Sequence, residues 1–167
     1  MKIRMKNKRK CTRDAIKQNW FRITIGLLVW ALSFIVISWW NTDEDYMPRA
    51  CGGDRCFMVE LARTSAEHQQ WLMYRESMEE NDGMLFIFDQ SAVHRFRMKN
   101  TLIPLDMVRI DEQLNVLSVI TAQPCTTDPC PLYTPNVPVR YVLEINAGMA
   151  QKHEIIEWTK MKLINIQ

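Results

Sequence analysis

Glycine is scarce in this chain of 167 residues, with five in all, and they cannot be assembled into a phosphate loop, a dinucleotide fingerprint or a Gly-x-Ser-x-Gly elbow. Nucleotide-driven chemistry and serine-nucleophile hydrolysis therefore have no motif to rest on. Histidine is scarcer still. His68, His94 and His153 stand in unrelated contexts without the spacing of metal ligands. The 11 methionines fall mostly at core-like positions such as Met84, Met98 and Met107, where flexible packing explains them, and they do not cluster as a copper site would need. Internal repeats and low-complexity tracts are absent from the sequence. No cofactor and no metal is expected on these grounds.

Charge is abundant but unevenly placed. The first 22 residues carry nine basic side chains against the single acid Asp14, whereas from residue 41 onward 18 acids outnumber 12 bases, a net charge of −6. Between the two lies ITIGLLVWALSFIVISWW (residues 23–40), without a charged residue, Pro, Asn or Gln. As a helix it would extend about 27 Å, close to a hydrocarbon core of about 30 Å, and Trp20, Trp39 and Trp40 fall where interfacial aromatics belong. The positive-inside bias then leaves residues 1–22 as a basic cytoplasmic tail and places the C-terminal part outside the cytoplasm. A cleavable signal peptide would end in a small-x-small site. Here the run closes on Ser38-Trp39-Trp40, which favours an uncleaved signal anchor in the inner or cytoplasmic membrane. The basic tail reads as an orientation signal, and no nucleic-acid partner is expected.

Beyond the span, residues 41–55 are acidic and broken by Pro48 and Gly52-Gly53, the composition of a linker. Residues 56–167 then read as one extracytoplasmic domain. Cys56–Leu61 alternates as a strand, and Thr64 with Glu67 makes a capping-box pattern that opens a helix through SAEHQQWLMYR. MLFIF (84–88) and VHRFRM (93–98) read as strands, LDMVRI (105–110) and VLSVITA (116–122) as a hairpin, and VRYVLEI (139–145) as a further strand. Asn146 is placed to cap a short helix through about Lys152, and MKLINI (161–166) closes the chain. Without regular strand-helix alternation, the fold class is α+β, mainly antiparallel β in a compact barrel-like or sandwich-like arrangement, with one or two short helices.

Four of the five cysteines form matched pairs beyond the span, Cys51-GGDR-Cys56 and Cys125-TTDP-Cys130. In an oxidising compartment such residues become disulfides, with three possible connectivities; a four-cysteine zinc site and free thiols are the alternatives.

LMYR (72–75), DGMLFIF (82–88), MKNTLIPLD (98–106) and VLEINAGMA (142–150), in this order and with these gaps, resemble the prokaryotic domain of unknown function 192 family, also called uncharacterised protein family 0127. The resemblance covers about residues 59–163. It implies a compact β-rich domain, frequently exported behind an N-terminal signal or anchor, with no assigned activity to carry over. Three positions depart from the family pattern: Trp71 and Arg97 stand where glycine and tryptophan are usual, and Glu157-Trp158-Thr159 replaces a usual Gly-Asp. If that tryptophan lines a groove in relatives, this chain has a changed ligand or none.

The polar residues set within the apolar motifs are the candidate ligand contacts: Arg75, Asp82, Lys99, Asn100, Thr101, Asp106, Glu144 and Asn146. Polar groups beside core segments must be hydrogen-bonded or solvated, so this set forms either an internal network that fixes loops or a surface that meets a ligand. The first expectation is a membrane-tethered binding or accessory module of the cell envelope, with an unidentified envelope ligand or protein as partner. The alternative is an envelope hydrolase acting on carbohydrate or wall polymer, with Asp106 and Glu144 as acid and base across a cleft.

Overall fold

The computed structural model describes residues 46–70 and 72–166. The basic tail and the apolar run at 23–40 lie outside the described residues; among those described, no helix is long and apolar enough to cross a membrane. The described chain folds in the order β1 (Arg49–Gly52), β2 (Arg55–Ala62), α1 (Ser65–Gln70), β3 (Asp82–Ala92), β4 (Phe96–Arg97), β5 (Leu105–Ile110), β6 (Val116–Ala122), β7 (Leu132–Tyr133), β8 (Val139–Asn146), α2 (Met149–Lys152) and β9 (Lys162–Ile164). Seven strands make one sheet in the order β6-β5-β8-β3-β2-β1-β9, and β4 pairs with β7 as a separate ribbon. Only β2 and β3 run parallel; their neighbours are antiparallel, so the α+β class expected from the sequence holds.

Residues 49–52, which look like linker in the sequence, form β1 and pair with both β2 and β9. The Gly-Gly pair that suggested a linker serves a hairpin instead. Gly53 takes φ 60 in the two-residue loop, where primed hairpin turns require positive φ, and a Cβ there would stand 1.8 Å from the His153 carbonyl oxygen. Cys51 and Cys56 are directly opposed across this hairpin and joined by a disulfide. The second disulfide joins Cys125 to Cys130. Each of these four cysteines is therefore bonded within its own matched pair.

A parallel β2–β3 pair demands a crossover, which α1 and the residues up to 81 provide. The capping box forms as expected: Glu67 Oε2 accepts from the Thr64 amide at 2.9 Å, and the Glu67 amide donates to Thr64 Oγ1 at 3.3 Å. The helix ends at Gln70, short of the Arg75 expected from the sequence. Past it the backbone is claimed by other partners, because Met73 pairs with Thr101 and the Tyr74 amide donates to the Asn100 carbonyl at 2.7 Å. Likewise, only Phe96 and Arg97 of the expected strand at 93–98 find a strand partner. Helix α2 starts later than Asn146, behind Gly148 at φ 85, with no side-chain cap.

Strand alternation divides the interior into two clusters. On one face lie Phe57, Val59, Leu85, Val108, Ile110, Leu143 and Ile145, closed by Met149 and Ala150 of α2 and by Ile155 and Met161. This face is nearly wrapped, since residues 158–161 hydrogen-bond back to 114–116 at the start of β6, bringing the two sheet edges together at one end. The opposite face carries Met84, Phe86, Phe88, Leu105, Met107, Ala122 and Val142 and is covered by Leu72 and Met98 from the segment between α1 and β5. That cover is incomplete, and the gap it leaves is the cleft.

Candidate functional site

Register decides where the carboxyl groups point. Asp106 of β5 faces Ile145 of β8, and Glu144 of β8 faces Met107 of β5, so the two acids occupy adjacent pairs and project from opposite faces of the sheet. On the wrapped face, Asp106 is 2% exposed and its two carboxyl oxygens are satisfied, one by Thr121 Oγ1 at 2.7 Å and the other by the Ala150 amide of α2 at 3.0 Å. It ties β6 and α2 to β5. The expected acid-base pair across one cleft is therefore absent, because the sheet separates its members.

Glu144 sits on the other face among Met84, Met107 and Val142 and is 4% exposed. Among the described residues its side chain has no hydrogen bond and no ion pair. Burial alone raises its pKa to about 8, so the carboxyl is mostly protonated at neutral pH and carries an O–H donor. It opens onto a cleft of about 730 Å³ lined also by His68, Leu72, Phe86, Phe88, His94, Arg95, Phe96, Arg97, Met98, Lys99 and Thr101. The volume lies in the range of small-molecule sites, roughly 300 to 1,000 Å³.

The walls follow from local sequence. Phe86 and Phe88 project from β3 on the Glu144 side; Phe96 meets Phe86 edge-on at 5.3 Å, and His94 stacks on Phe88 at 3.5 Å between ring centroids. His68, brought in by α1, approaches Phe88 at 4.9 Å, with Nε2 held 3.0 Å from the Ala62 carbonyl oxygen. Along residues 94–99 exposure alternates, with Phe96 and Met98 turned inward and Arg95, Arg97 and Lys99 exposed at the mouth. Lys99 pairs with Asp128 at 2.5 Å, which lowers the Asp128 pKa; Arg97 acts on Asp128 more weakly through space. Asp128 itself lies on the loop closed by the Cys125–Cys130 disulfide, and Cys125 pairs with Lys99 and Thr101. The disulfide thus holds one side of the cleft mouth.

Of the eight residues singled out from the sequence, Lys99, Thr101 and Glu144 come together in the cleft. The other five lie elsewhere. Arg75 forms a two-contact ion pair with Glu60 at 2.8 and 2.6 Å. Asn100, at φ 56, donates to the Tyr74 hydroxyl at 2.8 Å. Asn146 donates to the Met78 and Glu79 carbonyl oxygens at 2.9 and 3.0 Å, a loop tether where a helix cap was expected. Asp106 has the structural role given above, and Asp82 opens β3. His68, His94, Arg95 and Arg97 line the cleft but are not among the eight candidates, Arg97 standing out in the sequence only as a departure from the family pattern. The period-two run of cations at 95, 97 and 99 was the signal that could have found the mouth. Arg97, at the position where the resemblance expects tryptophan, proves to line the cleft. Among the described residues, no group of three or more His, Cys, Asp or Glu side chains could hold a metal ion.

A mainly antiparallel α+β domain with a buried, partnerless acid at the floor of an aromatic cleft is thus the class defined by fold and site. The chain belongs to the domain of unknown function 192 family, whose model, described as an uncharacterised ACR, matches residues 49–163. Two solved structures are similar to it. A protein of unknown function from Novosphingobium aromaticivorans is 30% identical, with a TM-score of 0.62 over 68% of this chain and 83% of that one. A protein from Sinorhizobium meliloti described as a candidate transcription regulator is 28% identical, with a TM-score of 0.63 over 71% of this chain and 95% of that one. Because the match fills 95% of the crystallised S. meliloti chain, the domain folds there essentially by itself. No curated protein matches the chain.

Proposed function

We propose that this chain is a membrane-tethered accessory protein of the cell envelope whose outer domain binds a small ligand in the cleft floored by Glu144. The supporting observation is the state of that residue. A buried polar group without a partner costs free energy, and Asp106 on the opposite face shows that this fold can satisfy an acid when stability is all that is required. Glu144 is left open to a cavity of ligand size, where a bound molecule would supply the missing partner. A transcription-regulating role, as the description of the S. meliloti relative has it, gains nothing from the charge of this domain if it means binding DNA, since 18 acids against 12 bases from residue 41 onward give a net charge that opposes a polyanion.

The ligand reading is tested by screening small molecules against the domain (residues 47–167) by proton-detected NMR. Compounds that shift residues 94–101 and lose affinity in Glu144→Leu support it; hits that ignore that substitution oppose it. The tether rests on the apolar run at 23–40 and the charge step across it. The full chain should remain with membranes after alkaline carbonate washing and its outer domain should be cut by protease added to spheroplasts. Release by the wash would refute the anchor.

A further inference from the structure

The chemical class of the ligand can be argued from the two ends of the cleft, on the footing that the cleft is a binding site as set out above. We infer that it takes a small amphipathic anion, with a ring-bearing apolar body against Phe86, Phe88, Phe96 and His94 and a negatively charged group at the mouth between Arg95 and Arg97.

The inner wall asks for rings. Phe96 meets both Phe86 and Phe88 edge-on while His94 and His68 extend the surface, so a flat apolar body finds both faces and edges to pack against. Leu72 and Met98 complete a surface with little to offer a sugar or a fully solvated ion. Among the described residues, two polar side chains interrupt the buried part, Thr101 at 5% and Glu144 at 4% exposure, and each carries an O–H that can donate to an acceptor on the body.

The mouth asks for an anion. In a domain that is acidic as a whole, three of its 12 basic side chains line this one cleft, spaced two residues apart on the same segment. Asp128 takes Lys99, whereas Arg95 has no hydrogen bond or ion pair among the described residues and Arg97 has only the distant influence of Asp128. Among the described residues, Glu144 is the only acid lining the cleft, and it lies at the floor rather than at the mouth. Two guanidinium groups with donors to spare match a carboxylate, sulfonate or phosphate. A neutral ligand would forgo that charge-assisted pairing.

The test compares two probes that share a body and differ in charge: anilinonaphthalene sulfonate and phenylnaphthylamine, titrated by fluorescence into the domain (residues 47–167). The sulfonate should bind saturably. Replacing Arg95→Ala and Arg97→Ala together should weaken it by at least about tenfold while changing phenylnaphthylamine binding by less than about twofold. Both arginines are solvent-facing, so the variant should fold; an unchanged melting temperature verifies this, and Arg97→Glu gives an independent check in the same direction. Equal affinity for the two probes, or sulfonate binding that survives both variants, would overturn the anion assignment while leaving a ligand-binding cleft. Failure of both probes to bind would overturn the cleft itself as a site for ring-bearing molecules.

Discussion

Asp106 and Glu144 stand on adjacent strands, one residue out of register, and each is buried on its own face of the same sheet. On the wrapped face, the acid gathers a hydroxyl from β6 and an amide from α2, and the layer closes over it. On the other face, the covering segment stops short and the acid meets a cleft instead of a partner. Burial is the same for both, so burial cannot distinguish a structural acid from a functional one. Satisfaction can. An acid with both oxygens engaged is part of the fold, and one stripped of water and left unpaired is held in readiness for something not in the chain.

The largest expected effect breaks the symmetry of the pair through pH. The folded-state pKa of Glu144 is raised to about 8 from an ordinary 4.5, so the native state holds a proton that the unfolded state has released. Its contribution to stability is fully present below about pH 4.5, declines as pH rises toward 8, and is flat beyond. Glu144→Gln has no proton to lose. Urea denaturation should find the variant and wild type equal near pH 4.5 and the variant more stable by about 4 kcal/mol near pH 8. Parallel curves for the two proteins would show that Glu144 does not titrate as described.

Next comes the satisfied acid. Asp106→Ala strands the buried Ala150 amide and frees the exposed Thr121 hydroxyl from its tie to β5, and should cost about 3 kcal/mol at neutral pH by the same measurement, with probe affinity in the cleft unaltered. A loss of affinity comparable with that from Glu144→Leu would erase the distinction between the faces. Opening the mouth is expected to matter less. Cys125→Ser with Cys130→Ser releases a short loop, with a loss of about 2 kcal/mol and weaker probe binding, because the loop also carries Asp128 against Lys99. The smallest effect belongs to Arg75, whose pairing with Glu60 is half-exposed; Arg75→Ala should cost under about 1 kcal/mol and leave binding untouched.

Much of the wrapped face could be read in the sequence, and little of the cleft. Alternation and turn residues located β2, β5, β6, β8 and the core of β3, and Thr64 with Glu67 announced the start of α1 correctly, because those signals are local. That Cys51, Cys56, Cys125 and Cys130 form disulfides was also foreseeable from spacing and charge asymmetry, though which cysteine bonds to which was not. β1 was hidden because Pro48 and two glycines make the composition of a linker, while its pairing with β9 joins residues more than a hundred positions apart. Asp106 and Glu144 look alike in the sequence. What separates them is the β5–β8 register, a non-local property that places neighbouring pairs on opposite faces. For the same reason the cations at 95, 97 and 99 could be seen as a stripe, but not as the mouth of anything.

The central claim is that the open face holds an acid kept neutral by burial and awaiting a partner. Selective carbon labelling of glutamate, with the Glu144 signal assigned by its loss in Glu144→Gln, allows its side-chain carbonyl to be followed by NMR across pH. A midpoint near 8, displaced on addition of a cleft-binding anion, is the predicted result. A midpoint in the ordinary glutamate range near 4.5 would mean that the group is solvated or paired, and would contradict the account.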